Sequence, residues 1–318
     1  MIILAPLHGF TDFIFRNVYS RHYTGIDLAV SPFISLTPCE KVNPRKAKDV
    51  LPENNNSIPV IPQILGKEAD SFIQMAEFLE GLGYDKLNWN LGCPVKSIVN
   101  KKRGSGLLLY PDLLRSILDI IIPAVSQQIS VKIRLGYNST DEIYKLIPVF
   151  NDYPLENICI HPRIGKQMYE GEIYHDVLQS IIGEFKHEII YNGDITNYDE
   201  FCIIQQKYPD INKWMIGRGV FSNPSLPFQI NEKGLNITGN FNEKERFQSF
   251  LNDLIIELRI YKTETQTLNK MKDLWRLFSF GFVEQAHVLH QIIHVQSLDQ
   301  MIEISNQIIH NEKRLFGS

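Results

Sequence analysis

Through the first two thirds of the chain, short apolar runs rich in β-branched residues alternate with longer amphipathic stretches. Residues 2–5, 28–30, 59–64, 86–89, 130–135, 157–160, 188–191 and 213–216 read as strands, and 12–19, 68–82, 112–125 and 141–150 as helices between them. Strands that alternate with helices pair in parallel, and eight such units fit a closed (β/α)8 TIM barrel of the α/β class. An open doubly wound sheet is the competing architecture, but the first strand–helix turn lacks a Gly-x-Gly-x-x-Gly fingerprint. From about residue 243 the strand signals stop. Phe247, Phe250, Leu251, Leu254, Ile255 and Leu258 recur at helical spacing. Leu274, Leu277 and Phe278, then Val288, Leu289, Ile292 and Ile293, then Met301, Ile304 and Ile308 mark three further helices. The expected organisation is a barrel over 1–235 and a small helical bundle domain over 240–318, joined by a linker at 231–242.

Composition adds little to this picture. The 318 residues suffice for a barrel and a smaller unit, and 44% hydrophobic with 21% charged residues are ordinary globular values. A net charge of -4 does not announce a nucleic-acid binder, because phosphate contacts want a basic surface, but it says nothing of local patches. Cys39, Cys93, Cys159 and Cys202 are widely spaced, with no Cys-x-x-Cys pair, which argues against a zinc site or a disulfide framework and for a reducing compartment. No apolar stretch reaches the roughly 18 residues of a membrane span. The short apolar run at the start has no basic leader before it. A cytoplasmic monomer without metal or membrane attachment is expected.

Charge and glycine become informative at the predicted strand ends, because barrels carry their ligand groups at the C-terminal ends of strands. Those ends hold Pro6-Leu7-His8-Gly9, Gln63, Asn90 with Cys93, Lys132 with Arg134, His161-Pro162-Arg163, Asn192-Gly193-Asp194 and Gly217-Arg218-Gly219. Each alone has a plain explanation, such as a turn or a satisfied core histidine. Together, at one end of one architecture, they favour a site. Glycines after strands seven and eight let backbone N–H groups approach a phosphate closely, and Arg218 adds a charge, so a phosphorylated cofactor is implied. Cys93 lies between Gly92 and Pro94, three residues after Asn90 and shortly before Lys101-Lys102-Arg103. That setting makes it a candidate reactive thiol, although an arbitrary cysteine is more often a small buried hydrophobe. The segment after it reads as a loop too polar to bury and too rich in glycine for a helix. In the C-terminal helices Lys270, Lys272, Trp275 and Arg276 form the best basic-plus-aromatic cluster; a solvated helix face around a buried Trp275 is the even alternative, since Asp273 is interleaved.

The stretch Asn88-Trp89-Asn90-Leu91-Gly92-Cys93-Pro94, followed by Gly104-Ser105-Gly106-Leu107-Leu108-Leu109, resembles the active-site signature of the tRNA-dihydrouridine synthases, a family of FMN-dependent reductases. That signature reads Asp-x-Asn-x-Gly-Cys-Pro, then Gly-x-Gly-x-x-Leu-Leu. Ala5-Pro6-Leu7, Thr11-Asp12, Phe15-Arg16, Gln63, Lys132 to Gly136, His161 and Arg163, Asn192 to Ile195 and Gly217 to Gly219 also look like family motifs, in family order across the barrel. Asn88 stands where the family has Asp, Leu7 where it has Met, and His8 and Pro162 also depart from the pattern.

The resemblance implies reduction of a uracil double bond in tRNA, with NADPH as reductant of FMN. The flavin would pass hydride to carbon 6 and Cys93 would protonate carbon 5, for which a mostly protonated thiol is suited. Pro6 and Leu7 would line the flavin ring, Gln63, Lys132 and His161 its polar edge or ribityl chain, and Asn192, Gly193, Asp194, Gly217 and Arg218 the phosphate end. Asn90 would orient the base, Arg163, Lys166 and Tyr169 would hold the flipped nucleotide, and Lys270, Lys272, Trp275 and Arg276 would grip the tRNA body. Two rivals are an FMN barrel reducing a free pyrimidine or enone, which would not need the helical domain, and a silent RNA-binding barrel, which would not need Cys93.

Overall fold

Eight strand units close into a ring in the computed structural model, which describes residues 1–36, 43–233, 242–312 and 315–317. They are β1 (Ile2–Leu4), β2 in two pieces (Leu28–Val30 and Ile34–Ser35), β3 in two pieces (Val60–Ile61 and Gln63–Leu65), β4 (Lys86–Leu91), β5 (Gln128–Gly136), β6 (Asn157–Ile164), β7 (Glu188–Asn192) and β8 (Trp214–Ile216). All neighbours pair in parallel, and β8 returns to β1 with Ile2 opposite Trp214, which shuts the barrel. The expected fold class is therefore the observed one. The interruptions in β2 and β3 fall at Pro32 and Pro62, residues that cannot donate to a ladder. The Gln63 N–H there turns instead to Ser31 Oγ, 3.1 Å away.

Strand periodicity sorts the side chains. In β4, Leu87, Trp89 and Leu91 face the helices, with Trp89 edge-on to Phe72 of the Ala69–Gly81 helix at 5.7 Å. Asn88 and Asn90 point into the barrel beside Ser130 and Lys132 of β5, and Lys132 and Arg134 stand beside Cys159 and His161 of β6. Below this polar layer Ile3, Ala5, Val30, Ile61, Cys159, Ile190 and Met215 plug the interior.

The structure adds helices His175–Ile181 and Tyr198–Lys207 to the predicted set. The first is seven residues long and the second buries only Phe201 and Ile204, too few to show a period. The reading of the segment after Cys93 is corrected. It contains a short helix, Lys96–Val99, and a 3-10 turn, Gly104–Leu109, and residues 103–108 are buried. Its buried polar groups find partners except for Arg103 Nε: Ser105 donates from both N and Oγ to the Cys93 carbonyl at 3.0 Å, and Arg103 binds Glu68 at 2.6 Å and the Leu36 carbonyl at 2.9 Å.

Helices Glu243–Tyr261, Glu264–Phe278, Gln285–Ile293 and Leu298–Asn311 form the C-terminal region. Asn242, Thr263 and Ser297 cap three of them through their side chains. The six apolar residues expected on the first are all buried. Phe250 meets Phe15 and Tyr19 of the barrel helix Phe13–His22, so the aromatic core runs without a break from barrel to helices. Residues 234–241 of the expected linker lie outside the described residues. Among the described residues, no helix is long and apolar enough to cross a membrane.

Candidate active site

A cavity of ≈ 690 Å³ opens at the C-terminal end of the barrel, where the inward-pointing polar layer emerges. Of the residues predicted for a site, it gathers Pro6, Leu7, Asn90, Cys93, Lys132, His161, Tyr169, Asn192, Gly193, Asp194, Gly217 and Arg218. Ala5, Pro6, Leu7 and Phe10 make an apolar stretch of wall.

Cys93 is half-buried and fixed by its backbone. Its N–H donates to Asn90 Oδ1 at 2.9 Å, and Gly92 N–H shares the same oxygen at 3.1 Å. Its carbonyl receives the Ser105 pair described above. Gly104 makes that possible: it has φ +56°, and a Cβ there would stand 2.6 Å from the Cys93 carbonyl oxygen. Burial pushes the thiol above its ordinary value, against the Val95 backbone N–H and the Arg134 and Lys132 charges, so Cys93 keeps its proton at neutral pH.

Gln63, expected at the polar edge of a cofactor, is not among the residues that line the cavity and lies directly behind Asn90. It is fully buried and its amide is occupied at both ends. Nε2 donates to Asn88 Oδ1 at 2.7 Å, and Oε1 accepts from Asn90 Nδ2 at 2.8 Å. Asn88 Nδ2 in turn donates to Ser130 Oγ at 2.9 Å, and Ser130 donates to the Leu87 carbonyl at 3.1 Å. A one-way ladder therefore runs from the Cys93 N–H through Asn90, Gln63, Asn88 and Ser130 to a backbone carbonyl. A carboxylate at position 88 has no N–H for Ser130, so the departure from Asp noted in the sequence is what lets the ladder keep one direction.

The other side of the cavity is ionic. Asp194 binds Arg163 at 2.5 and 2.8 Å and Arg218 at 2.9 Å. Burial raises the Asp194 carboxyl, but the Arg163 hydrogen bonds and the charges of Arg163 and Arg218 outweigh it and hold the group below its ordinary value. Arg163 is buried, spends its remaining donors on the Gly171 carbonyl and on His161 Nε2, 3.2 Å away, and lies off the main cavity, so its guanidinium is committed within the protein, against the expectation that it holds a nucleotide. His161 is driven well below its ordinary value by burial and then by Arg134, Lys132, Arg163 and Arg218, and is a neutral imidazole. Lys132, lowered by burial, finds no hydrogen-bond or ion-pair partner among the described residues. An unpartnered cation on a cavity wall suits a ligand that brings an anion or a strong acceptor. Gly219 packs so closely that a Cβ would meet the Ile195 carbonyl oxygen at 2.0 Å, bringing the backbone after β8 against the β7 loop. At the start of Arg218–Ser222 the Val220 N–H is taken by the Gly217 carbonyl at 3.1 Å. The lining fits a long ligand with an apolar ring and an anionic end. Among the described residues, no group of three metal-ligating side chains is present.

Tyr169 is half-exposed, with the guanidinium groups of Arg134 and Arg218 within 5.4 and 5.7 Å of its ring. Lys166 is exposed beside it in sequence. Arg134 was named at its strand end in the sequence but given no role there. It lines the cavity, donates to the Gly92 carbonyl at 2.9 Å, and burial pulls it down to about 10, still charged at neutral pH. Its spacing of two from Lys132 was the available signal, since it puts both on one face of β5. The basic cluster of the C-terminal helices divides. Trp275 is fully buried against Phe247, Phe278 and Phe282, a correction to its place on an RNA-facing surface. Lys270 turns inward to the barrel, pairing with Asp12 at 3.2 Å. Lys272 is half-exposed, and Arg276 is exposed with Asp273 3.5 Å away. Leu277 of the same helix lines the cavity.

A family model described as dihydrouridine synthase (Dus) matches residues 3–309. The chain is 31% identical over 232 residues to tRNA-dihydrouridine synthase B of Pasteurella multocida, covering 73% of this chain and 68% of that one. It is 28% identical over 311 residues to a probable tRNA-dihydrouridine synthase of Staphylococcus aureus, covering 93% and 89%. Among solved structures, the old yellow enzyme homologue from Zymomonas mobilis superposes with a TM-score of 0.51 at 12% identity, over 76% of this chain and 91% of that one, a likeness of fold alone.

Proposed function

This chain belongs to the dihydrouridine synthase family, and we propose from that premise that it reduces the carbon 5–carbon 6 double bond of a uridine in tRNA, using FMN and NADPH. The observation that carries the reading is the sharing of one cavity by a protonated thiol, an unpartnered lysine and an apolar wall. Pro6 and Leu7 would bear on the flavin ring, and Lys132 on its electron-rich edge, where an ammonium offsets the charge gained on reduction. Asn192, Gly193, Asp194, Gly217 and Arg218 would hold the phosphate end, with Arg218 the cation and Asp194 its brace. When bound, FMN reduced by NADPH supplies the hydride taken up at carbon 6.

Cys93 Sγ holds the proton that goes to carbon 5, so the double bond gains one hydride and one proton, and the thiolate left behind is reprotonated from solvent. Asn90 keeps one Nδ2–H beyond the ladder for the base. Neutral His161 offers a hydrogen bond without a further charge. The uridine leaves its stack to reach this depth, at a cost of a few kcal/mol. Tyr169, flanked by two guanidinium groups, supplies a face for it, with Lys166 near. For the tRNA backbone, Lys96, Lys101 and Lys102 are exposed around the Cys93 loop, whose Val95 and Ile98 line the cavity, and no ion pair holds any of the three among the described residues. Lys272 and Arg276 extend the cationic surface.

The test is an absorption spectrum of the purified protein, followed without oxygen by NADPH and then by tRNA lacking dihydrouridine. Flavin bands that bleach with NADPH and return on adding tRNA are expected. Return with free pyrimidines or enones but not tRNA would move the activity to another flavin reductase, and a protein that takes up no FMN would overturn the reading.

A further inference from the structure

We propose that Lys270, although it belongs to the C-terminal helices, is a positioning residue of the cofactor cavity. The proposal rests on reading that cavity as a flavin site. Its ammonium donates to the Gly9 carbonyl, pairs with Asp12 Oδ2 at 3.2 Å and lies 5.7 Å from the centre of the Phe10 ring. Three groups of one loop thus converge on one cation, whose side chain is only 12% exposed. That loop, residues 5–12, is the one that presents Ala5, Pro6, Leu7, His8 and Phe10 to the cavity.

Inside, the loop is cross-braced by Thr11. Leu7 N–H donates to Thr11 Oγ1 at 2.9 Å, Thr11 Oγ1 donates to the Ala5 carbonyl at 3.0 Å, and Phe10 N–H returns to the Leu7 carbonyl at 2.9 Å. These bonds make it a rigid unit. Its outer edge is tied by Lys270, and by Asp12, whose other oxygen caps the Phe13–His22 helix at the Phe15 N–H, 3.0 Å. Two helical turns beyond Lys270, on the same face of its helix, Leu277 enters the cavity wall directly. One helix of the C-terminal region therefore sets the loop that carries the apolar wall and adds a residue to it. A charge this enclosed and this fully partnered is not available to an RNA phosphate. The C-terminal helices are built into the cofactor site, and Lys270 works through Leu7 and Pro6 without touching the ligand.

Lys270→Met keeps the aliphatic stem and removes the charge; Lys270→Arg keeps the charge. Two quantities are read on the full-length protein: the FMN dissociation constant from flavin fluorescence, and hydrogen exchange of the Leu7, Phe10 and Thr11 amides without FMN. Lys270→Met is expected to weaken FMN binding about tenfold, of the order of one lost charged hydrogen bond, and to speed exchange across the loop. Lys270→Arg should stay within about twofold of the unaltered protein. If Lys270→Met does not fold, Lys270→Gln carries the same comparison. Unchanged FMN affinity with a lowered unfolding midpoint would make Lys270 merely structural. Unchanged FMN affinity with weakened tRNA binding would return it to the RNA surface. If the unaltered protein binds no FMN, the cavity reading fails and the proposal with it, and the exchange data alone then report whether Lys270 still holds the loop.

Discussion

Cys93 and Arg218 share a cavity, yet the sides of the barrel that hold them are built on different physics. On the β3–β5 side, Asn90, Gln63, Asn88 and Ser130 pass one direction of hydrogen bond to the Leu87 carbonyl, and no member carries a charge. On the β6–β8 side, Arg163 and Arg218 converge on Asp194. A neutral ladder has nothing to titrate or screen, so it fixes orientation at every pH at which the barrel stands. An ion cluster reaches further and binds harder, but leaves more positive than negative charge and answers to salt. A proton donor needs placement, and an anion needs charge. The chain assigns each material to the task it suits.

The largest expected effect comes from removing the group that the ladder places. Cys93→Ala should retain FMN and NADPH oxidation and lose product formation by about 10² to 10⁴-fold, the usual worth of a positioned acid; undiminished tRNA reduction would end the assignment. On the ionic side, Arg218→Gln should weaken FMN about 10- to 100-fold, as expected for one charge-assisted bond, and flatten the salt dependence of binding. An unaltered affinity would put the phosphate end elsewhere. Asn88→Leu breaks the ladder in its middle and strands buried donors and acceptors on Gln63 and Ser130. A stability loss of about 1–3 kcal/mol is expected in denaturant titration, with product formation falling more than FMN affinity. Equal loss of both would show that the two sides are not separate devices. The smallest effect is one of pH. The thiol acts in its protonated form and its pKa is raised, so the rate of tRNA reduction should be flat through neutrality and fall only above the ordinary thiol value of about 8.5. A fall already below that value would contradict a buried acid.

The strand ends were legible in the sequence because two periods collide there: apolar alternation stops and glycine or a polar group follows. That pattern located Cys93, Lys132, Asn192 and Gly217, and the helical period located all six buried apolar residues of Glu243–Tyr261. Partners were not legible. Nothing in the local sequence distinguishes an amide that faces a ligand from one that faces another amide, and so the bridge that Gln63 makes between Asn88 and Asn90 was not foreseen. A lysine on a helix face looks the same whether it meets water or, as Lys270 does, the Gly9 carbonyl of a loop 261 positions away. Arg163 reads as a free cation until Asp194 is folded against it.

Pro32 and Pro62 leave the ring with a seam. Where β2 meets β3 the ladder is cut into two short pieces, whereas β5 and β6 pair along most of their length. A barrel loaded towards unfolding parts first where its staves are nailed least, and Gln63 stands on that line. The barrel is thereby mechanically fused: mild denaturant should disarm the thiol before the far wall melts, so that catalysis fades while the β5–β6 half still holds its shape.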